Sequence, residues 1–137
     1  MDVREKILKE SKVIAVVGIS DNPERASHEV AEYLQSEGYT IVPVNPRLTT
    51  VLGQTCYPDL VSIGRKVDAV DIFRRPEEVL PVVQQAIRIG ARAIWMQEGV
   101  VNEEAAALAR EAGLDVVMDH CMLKERRRLL SEGKLEG

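Results

Sequence analysis

Five consecutive apolar residues, Val13-Ile14-Ala15-Val16-Val17, run straight into Gly18. An amphipathic helix or a half-exposed strand would interrupt such a run with polar side chains, so the segment predicts a strand covered on both faces. A strand of that kind needs a sheet with helices on both sides, and the rest of the chain supplies one. Tyr39–Val44 predicts a second strand, Ala69–Phe73 a third, Ala91–Met96 a fourth and Leu114–Met118 a fifth. Helical segments alternate with them. Asp2 and Glu5 make a capping-box pattern for a short opening helix. Ser27 is placed to cap a helix through about Glu37, with Val30, Ala31 and Leu34 on its inner stripe. Pro76–Ile89 predicts a helix whose first turn is set off by Pro81. Asn102 caps another, with Glu103 and Glu104 in its first turn, and Met122 to about Leu130 forms a final basic helix. Gly38, Gly90 and Gly113 stop three helices just before the following strands. The alternation predicts an α/β fold: a doubly wound, mostly parallel, five-stranded Rossmann-like sheet with helices on both faces. Residues 46–67 break the rhythm, with turn signals and one short helical turn near Asp59–Ile63.

The chain has 137 residues, which fits one domain over 1–137, with a frayed tail expected from Ser131 onward. Aromatics are only 4 % of the residues while 45 % are hydrophobic, so the core must be aliphatic. The charged N-terminus lacks the apolar run of a signal peptide, and no apolar stretch is long enough to span a bilayer. Cys56 and Cys121 stand alone, without C-x-x-C spacing or a histidine cluster, which reads as two reduced thiols in a cytoplasmic protein and no metal site. A net charge of −4 argues against coating nucleic acid.

Ligands of open α/β sheets bind outside the carboxyl ends of the strands, where the strand order reverses. Those ends are Gly18 through Arg25, Asn45-Pro46-Arg47, Phe73-Arg74-Arg75, Gln97-Glu98-Gly99 and Asp119-His120-Cys121. Arg25, Arg47, Arg74 and Arg75 thus share one rim of an acidic protein, which outlines an anion site. Gly18 allows the backbone to turn tightly beside a phosphate, helix-terminal amides donate to it, and Ser20 adds a hydroxyl. The dinucleotide fingerprint is missing on both counts. No further glycines follow Gly18, and the second strand ends in Val44-Asn45-Pro46 rather than in an acidic residue.

Six words at strand ends, taken in order, make the chain recognisable. They are Val16-Val17-Gly18-Ile19-Ser20 with Asn22-Pro23 and Arg25; Val44-Asn45-Pro46; Gly53 with Tyr57-Pro58; Asp71-Ile72-Phe73-Arg74; Trp95 through Val100; and Met118-Asp119-His120-Cys121. From about Val13 to Leu129 the chain resembles the small single-domain CoA-binding proteins, which share the fold of the CoA-binding domain of the succinyl-CoA synthetase α subunit. The resemblance implies that coenzyme A, or an acyl-CoA, is the ligand. It implies that Gly18, Ser20 and Arg25 meet the pyrophosphate, that Asn45 and Pro46 flank the adenosine, and that Phe73 and Arg74 line the cleft, with Ile19, Arg47 and Arg75 as further expected cofactor contacts. Trp95, Met96 and Gln97 are then expected along the pantetheine, with Cys121 where the thiol or acyl end arrives.

The expected role is cofactor binding for sensing or delivery, without catalysis by the chain itself. A phosphorylated-histidine domain like that of the synthetase is not present in these residues. His28 reads as a solvated surface histidine. His120 and Cys121, as neighbours on a strand end, point apart and make a poor dyad. The alternatives are a thiol-dependent acyl transferase using Cys121 and an NAD(P)-binding regulatory protein. The run Lys124-Glu125-Arg126-Arg127-Arg128 reads first as a solvated helix face. Its second reading, a surface for a protein partner or a second copy of the chain, stays open.

Overall fold

The computed structural model describes residues 1–136. In chain order the elements are α1 (Val3–Glu10), β1 (Val13–Val17), α2 (Ala26–Ser36), β2 (Thr40–Val44), two short strands β3 (Thr50–Val51) and β4 (Gln54–Thr55), β5 (Ala69–Ile72), a 3₁₀ turn (Pro76–Glu78), α3 (Val79–Arg88), β6 (Ala93–Met96), α4 (Glu103–Glu111), β7 (Asp115–Val117) and α5 (Met122–Ser131). The five long apolar runs form one sheet in the order β2-β1-β5-β6-β7. Every neighbouring pair in it is parallel. Pro43 is accommodated because β2 lies at the sheet edge, where a missing amide costs least.

Side chains alternate across each strand, so the sheet divides two cores. Ile14, Val16, Ile41, Trp95 and Val117 face Ile7 and Leu8 of α1, Val30, Ala31 and Leu34 of α2, and Met122 and Leu129 of α5. Ala15, Val17, Val42, Val70, Ile72, Ile94 and Met96 face Val79, Val83 and Ala86 of α3 and Ala105, Ala106 and Ala109 of α4. The chain leaves β1 over one face and β5 over the other. The strand order therefore reverses between β1 and β5, and a crevice opens there at the carboxyl ends.

Helix ends follow local chemistry in several places. Asp2 caps α1 by accepting from the Arg4 amide, and Asn102 caps α4 by accepting from the Ala105 amide. Pro81 lies in the first turn of α3, behind the separate 3₁₀ turn at Pro76–Glu78.

Four local expectations are corrected. Ser27 does not cap α2: Arg25 holds the N-cap position, and Ser27 Oγ instead accepts the Ser20 amide at 3.0 Å. Residues 46–67 contain a β3–β4 hairpin turning on Leu52 (φ 54°) and Gly53 (φ 73°), both left-handed as in a type I′ hairpin turn. Of the tail expected to fray from Ser131 to Gly137, residues 133–135 hold to the body of the chain, and Gly137 lies outside the described residues. Gly133 and Lys134 donate to Leu130 and Leu129 at the end of α5, and Leu135 packs on the α1/α2/α5 core. Arg126, read as part of a solvated face, is buried. It pairs with Glu37 Oε1 at 2.7 Å and donates to the hydroxyls of Tyr33 and Tyr39.

Candidate functional site: a groove at the sheet switch point

Gly18 ends β1 between its two neighbours. Its amide donates to the Val44 carbonyl of β2 at 2.9 Å, while the Phe73 amide donates to Val17 at 2.8 Å. Its φ of +86° is one that L side chains resist, and a Cβ placed there would lie 2.3 Å from the Phe73 carbonyl oxygen. Only glycine lets the β1 and β5 exits come this close. The turn after it is held by side-chain bonds. Ser20 Oγ accepts the Asn22 amide, Asn22 Oδ1 accepts the Glu24 amide, and Asn45 Nδ2 reaches back across the sheet edge to donate to the Ile19 carbonyl at 2.8 Å.

That turn delivers the chain to an α2 N-terminus that no side chain caps. The first amides of a helix lack intrahelical partners and carry the positive end of its dipole. Arg25, Ala26 and Ser27 line an open pocket of about 580 Å³ together with Gly18, Ser20 and Arg47. Sharing Gly18, Asn45, Arg47 and Phe73 with it is a second pocket of about 380 Å³, walled by Pro46, Arg74, Arg75 and Glu78. A third, of about 590 Å³, shares Phe73, Arg74 and Arg75 and continues past Gln97, Glu98 and Gly99 to Cys121 and Lys124. The three form one groove across the strand ends, each part within the size range of small-molecule sites. A more apolar recess of about 350 Å³ opens from Gly18 and Arg74 toward Pro58, Leu60, Pro81 and Val82 on the α3 side. A further hollow of about 560 Å³, around Lys12, Gly38 and Tyr39, lies at the opposite end of the strands.

The structure brings most of the expected residues to this groove but sorts them by role. Gly18, Ser20, Arg25, Asn45, Pro46, Arg47, Phe73, Arg74 and Arg75 line it. Gln97 and Cys121 line its far end as largely buried groups, and Gln97 Oε1 is engaged by the Met122 amide at 3.1 Å. Trp95 and Met96 do not reach it. Both are fully buried in the two cores, and Trp95 Nε1 donates to the His120 carbonyl at 2.8 Å, so they support the groove from within. Alternation along β6 turns these side chains into the two cores instead of past the strand end. Ile19 contributes backbone alone, because its side chain is buried in the α2 core. His28 is buried rather than solvated, with Nδ1 2.9 Å from the Ser20 carbonyl. Cys56 is a buried thiol against the Asn45 carbonyl, and burial pushes its pKa up.

The four rim arginines are not equivalent. Arg25 and Arg47 are exposed and have no ion pair among the described residues. Arg74 and Arg75 are both held by Glu78. Arg74 Nη2 lies 2.6 Å from Glu78 Oε2, and Arg75 Nε lies 3.1 Å from Oε1. Hydrogen bonding from Arg75, seconded by the charge of Arg74, holds the Glu78 carboxyl below its ordinary pKa. Glu78 was not among the residues expected here. Its signal was present all the same, since an acid three and four places after Arg75 and Arg74 sits at helical ion-pair spacing.

Beneath Phe73, on β5, Asp71 is fully buried beside Val16 and Trp95, and neither carboxyl oxygen has a hydrogen-bond partner. Burial drives its pKa well above the usual carboxylate value.

With this geometry in view, the family is decided by one match: a model described as CoA binding domain fits residues 12–127. The chain belongs to the CoA-binding domain family. Protein YneT of Bacillus subtilis (strain 168), itself uncharacterized, is 42 % identical to this CoA-binding domain over 118 residues, covering 86 % of the chain and 87 % of the relative. A solved hypothetical protein from Pyrococcus horikoshii OT3 superposes with a TM-score of 0.91 at 42 % identity, covering 95 % of this chain and 93 % of that one. The ADP-forming acetate–CoA ligase I of Archaeoglobus fulgidus is 24 % identical over 121 residues. That match takes in 81 % of this chain but only 18 % of the ligase. The relation to a ligase segment fits a domain like that of succinyl-CoA synthetase. Among the described residues no helix is long and apolar enough to cross a membrane.

The groove fits coenzyme A chemically. The uncapped α2 N-terminus and two unpaired arginines suit its phosphates, and the recess beyond Gly18 offers apolar walls.

Proposed function

We propose that the chain binds coenzyme A or an acyl-CoA along the groove at the carboxyl ends of its strands, to sense or deliver the cofactor and without catalysis of its own. The observation that carries this reading is the uncapped N-terminus of α2 opening beside Gly18, between Arg25 and Arg47. In it Gly18, Ser20 and Arg25 hold the pyrophosphate, while Asn45, Pro46 and Arg47 flank the adenosine. Phe73 lies under the ligand where the groove narrows, and the far end toward Gln97 and Cys121 receives the pantetheine arm. Against an NAD site stands the end of β2. The Asn45 side chain is already committed to the Ile19 carbonyl and the Arg47 amide, and no carboxylate stands there to hold ribose hydroxyls.

A thermal-shift series tests the assignment. A ligand that binds only the native state stabilises it by about 2.7 kcal/mol at one hundred times its Kd. CoA raises the melting temperature and NAD leaves it unchanged. Stabilisation by NAD with none by CoA would overturn the reading. Cys121 lines the groove, which keeps an acyl-transfer role testable: incubation with acetyl-CoA leaves Cys121 unmodified by mass spectrometry if the chain only binds.

A further inference from the structure

An anion groove with a carboxylate set into its wall is a contradiction that needs a reason. Glu78 lines both the pocket at Pro46–Arg75 and the apolar recess, and it neutralises the two arginines that the sequence offers to a ligand there. Arg74 borders three of the spaces that meet at this point, and its stem lies against Gly18, where an added Cβ would be 3.0 Å from Arg74 Cδ. The Glu78 pair is partly exposed, with side chains 34 % and 31 % accessible. An ion pair in that setting is weak and readily exchanged.

Resting on the CoA reading of the groove, we infer that Glu78 is its specificity-determining residue: it parks Arg74 in the empty site and yields it only to a ligand phosphate. The charges make the exchange selective. A phosphate group bearing up to two negative charges outcompetes a single carboxylate for a guanidinium, and its oxygens suit the planar fork. Glu78 keeps Arg75 throughout, through the separate contact to Oε1, so no buried or unpaired carboxylate is left behind when Arg74 departs. A neutral nucleoside, or a ligand whose charge lies elsewhere, does not repay the lost pair. Such a ligand gains nothing from Arg74.

Calorimetry with CoA on the full chain tests this, using Glu78→Gln, Glu77→Gln, Arg74→Ala and the Arg74→Ala/Glu78→Gln double variant. Glu77 is the control, an exposed carboxylate 3.7 Å from Arg75 that does not touch Arg74. Glu78→Gln tightens CoA binding by about two- to fivefold, the range an exposed pair supports. Glu77→Gln changes it less than Glu78→Gln does, and Glu78→Gln gives no gain when Arg74 is already alanine. Equal tightening by Glu77→Gln and Glu78→Gln would reduce Glu78 to a long-range field, and a gain that survives without Arg74 would assign the effect to Arg75; either would overturn the inference. So would weaker binding by Glu78→Gln, because Glu78 would then be positioning Arg74 for the ligand. Wild-type protein that binds no CoA at all would overturn the reading of the groove together with the inference.

Discussion

Two residues at the centre of the sheet are single points of failure for opposite reasons. Gly18 has no room for a side chain: Gly18→Val drives a Cβ against backbone, at the Phe73 carbonyl oxygen, in a left-handed conformation. The strained backbone alone costs about 1–3 kcal/mol. Chemical denaturation of the variant shows lower stability, and calorimetry of the fraction that stays folded shows no CoA binding. Asp71 is a polar group with nothing to bond, which folding tolerates only while it is neutral. As pH rises through the ordinary carboxylate range, the unfolded chain releases the Asp71 proton and the folded chain retains it. The unfolded state then binds fewer protons, so stability falls with rising pH until the raised folded pKa is passed. Melting curves from pH 5 to pH 8 therefore show wild type losing stability relative to Asp71→Asn, which has no proton to lose. Parallel curves would mean that Asp71 is ionised, or solvated, in the folded protein.

Whole elements depend on contacts at their ends and backs. The α4 cap Asn102 does two tasks, accepting the Ala105 amide through Oδ1 and donating to the Pro76 carbonyl through Nδ2. It thereby joins α4 to the turn that carries Glu78. Asn102→Ala costs about 1 kcal/mol in urea unfolding through the lost cap. On the other face, α5 is bound to α2 and the turn leading into β2 by Arg126, whose guanidinium meets Glu37, Tyr33 and Tyr39 and lies 5.5 Å from the Tyr39 ring centroid. The Tyr39 hydroxyl donates to the Leu8 carbonyl and extends the contact to α1. Arg126→Ala strands those partners. Because Glu37 is itself partly exposed and can rehydrate, the loss stays at about 1.5–3 kcal/mol rather than the larger cost of a sealed ion pair.

For the molecule as a whole, charge decides what reaches the groove. The chain carries −4 overall, so a polyanion approaches only where cations are concentrated. With Arg74 and Arg75 occupied by Glu78, that concentration is Arg25 and Arg47. CoA differs from dephospho-CoA by a 3′-phosphate, and a hydrogen bond to a charged group contributes about 1.5–3 kcal/mol, or roughly 10- to 100-fold in affinity. Calorimetry at low salt finds CoA the tighter ligand, and the gap narrows as salt is added. Among single alanine variants, loss of the preference marks the arginine that reads the 3′-phosphate. Equal affinities at low salt would mean that the groove sees the pyrophosphate alone.

The apolar run Val13–Val17, its four successors and the glycines between them determined the fold without help. A strand buried on both faces has only one kind of sheet to join, and helix stops such as Gly38 and Gly90 are local backbone chemistry. The tight turn at Gly18, where β1 and β5 come closest, was legible for the same reason. What sequence could not reach were properties set by which face or partner a side chain finds. Trp95 and Met96 stand two places and one place before the rim residue Gln97, and alternation along β6 turned them into opposite cores. Ser27 looked like a cap, but the turn after β1 brought the Ser20 amide to its hydroxyl first. The Leu52–Gly53 hairpin hid because leucine rarely accepts positive φ, and the fold imposes it there. Arg126 and His28 carried polar labels and were buried because α2, α5 and the Ser20 turn supplied partners distant in sequence. The rim arginines were visible as a group; that two of them are spent on Glu78 is a matter of side-chain geometry, which only the packed structure fixes.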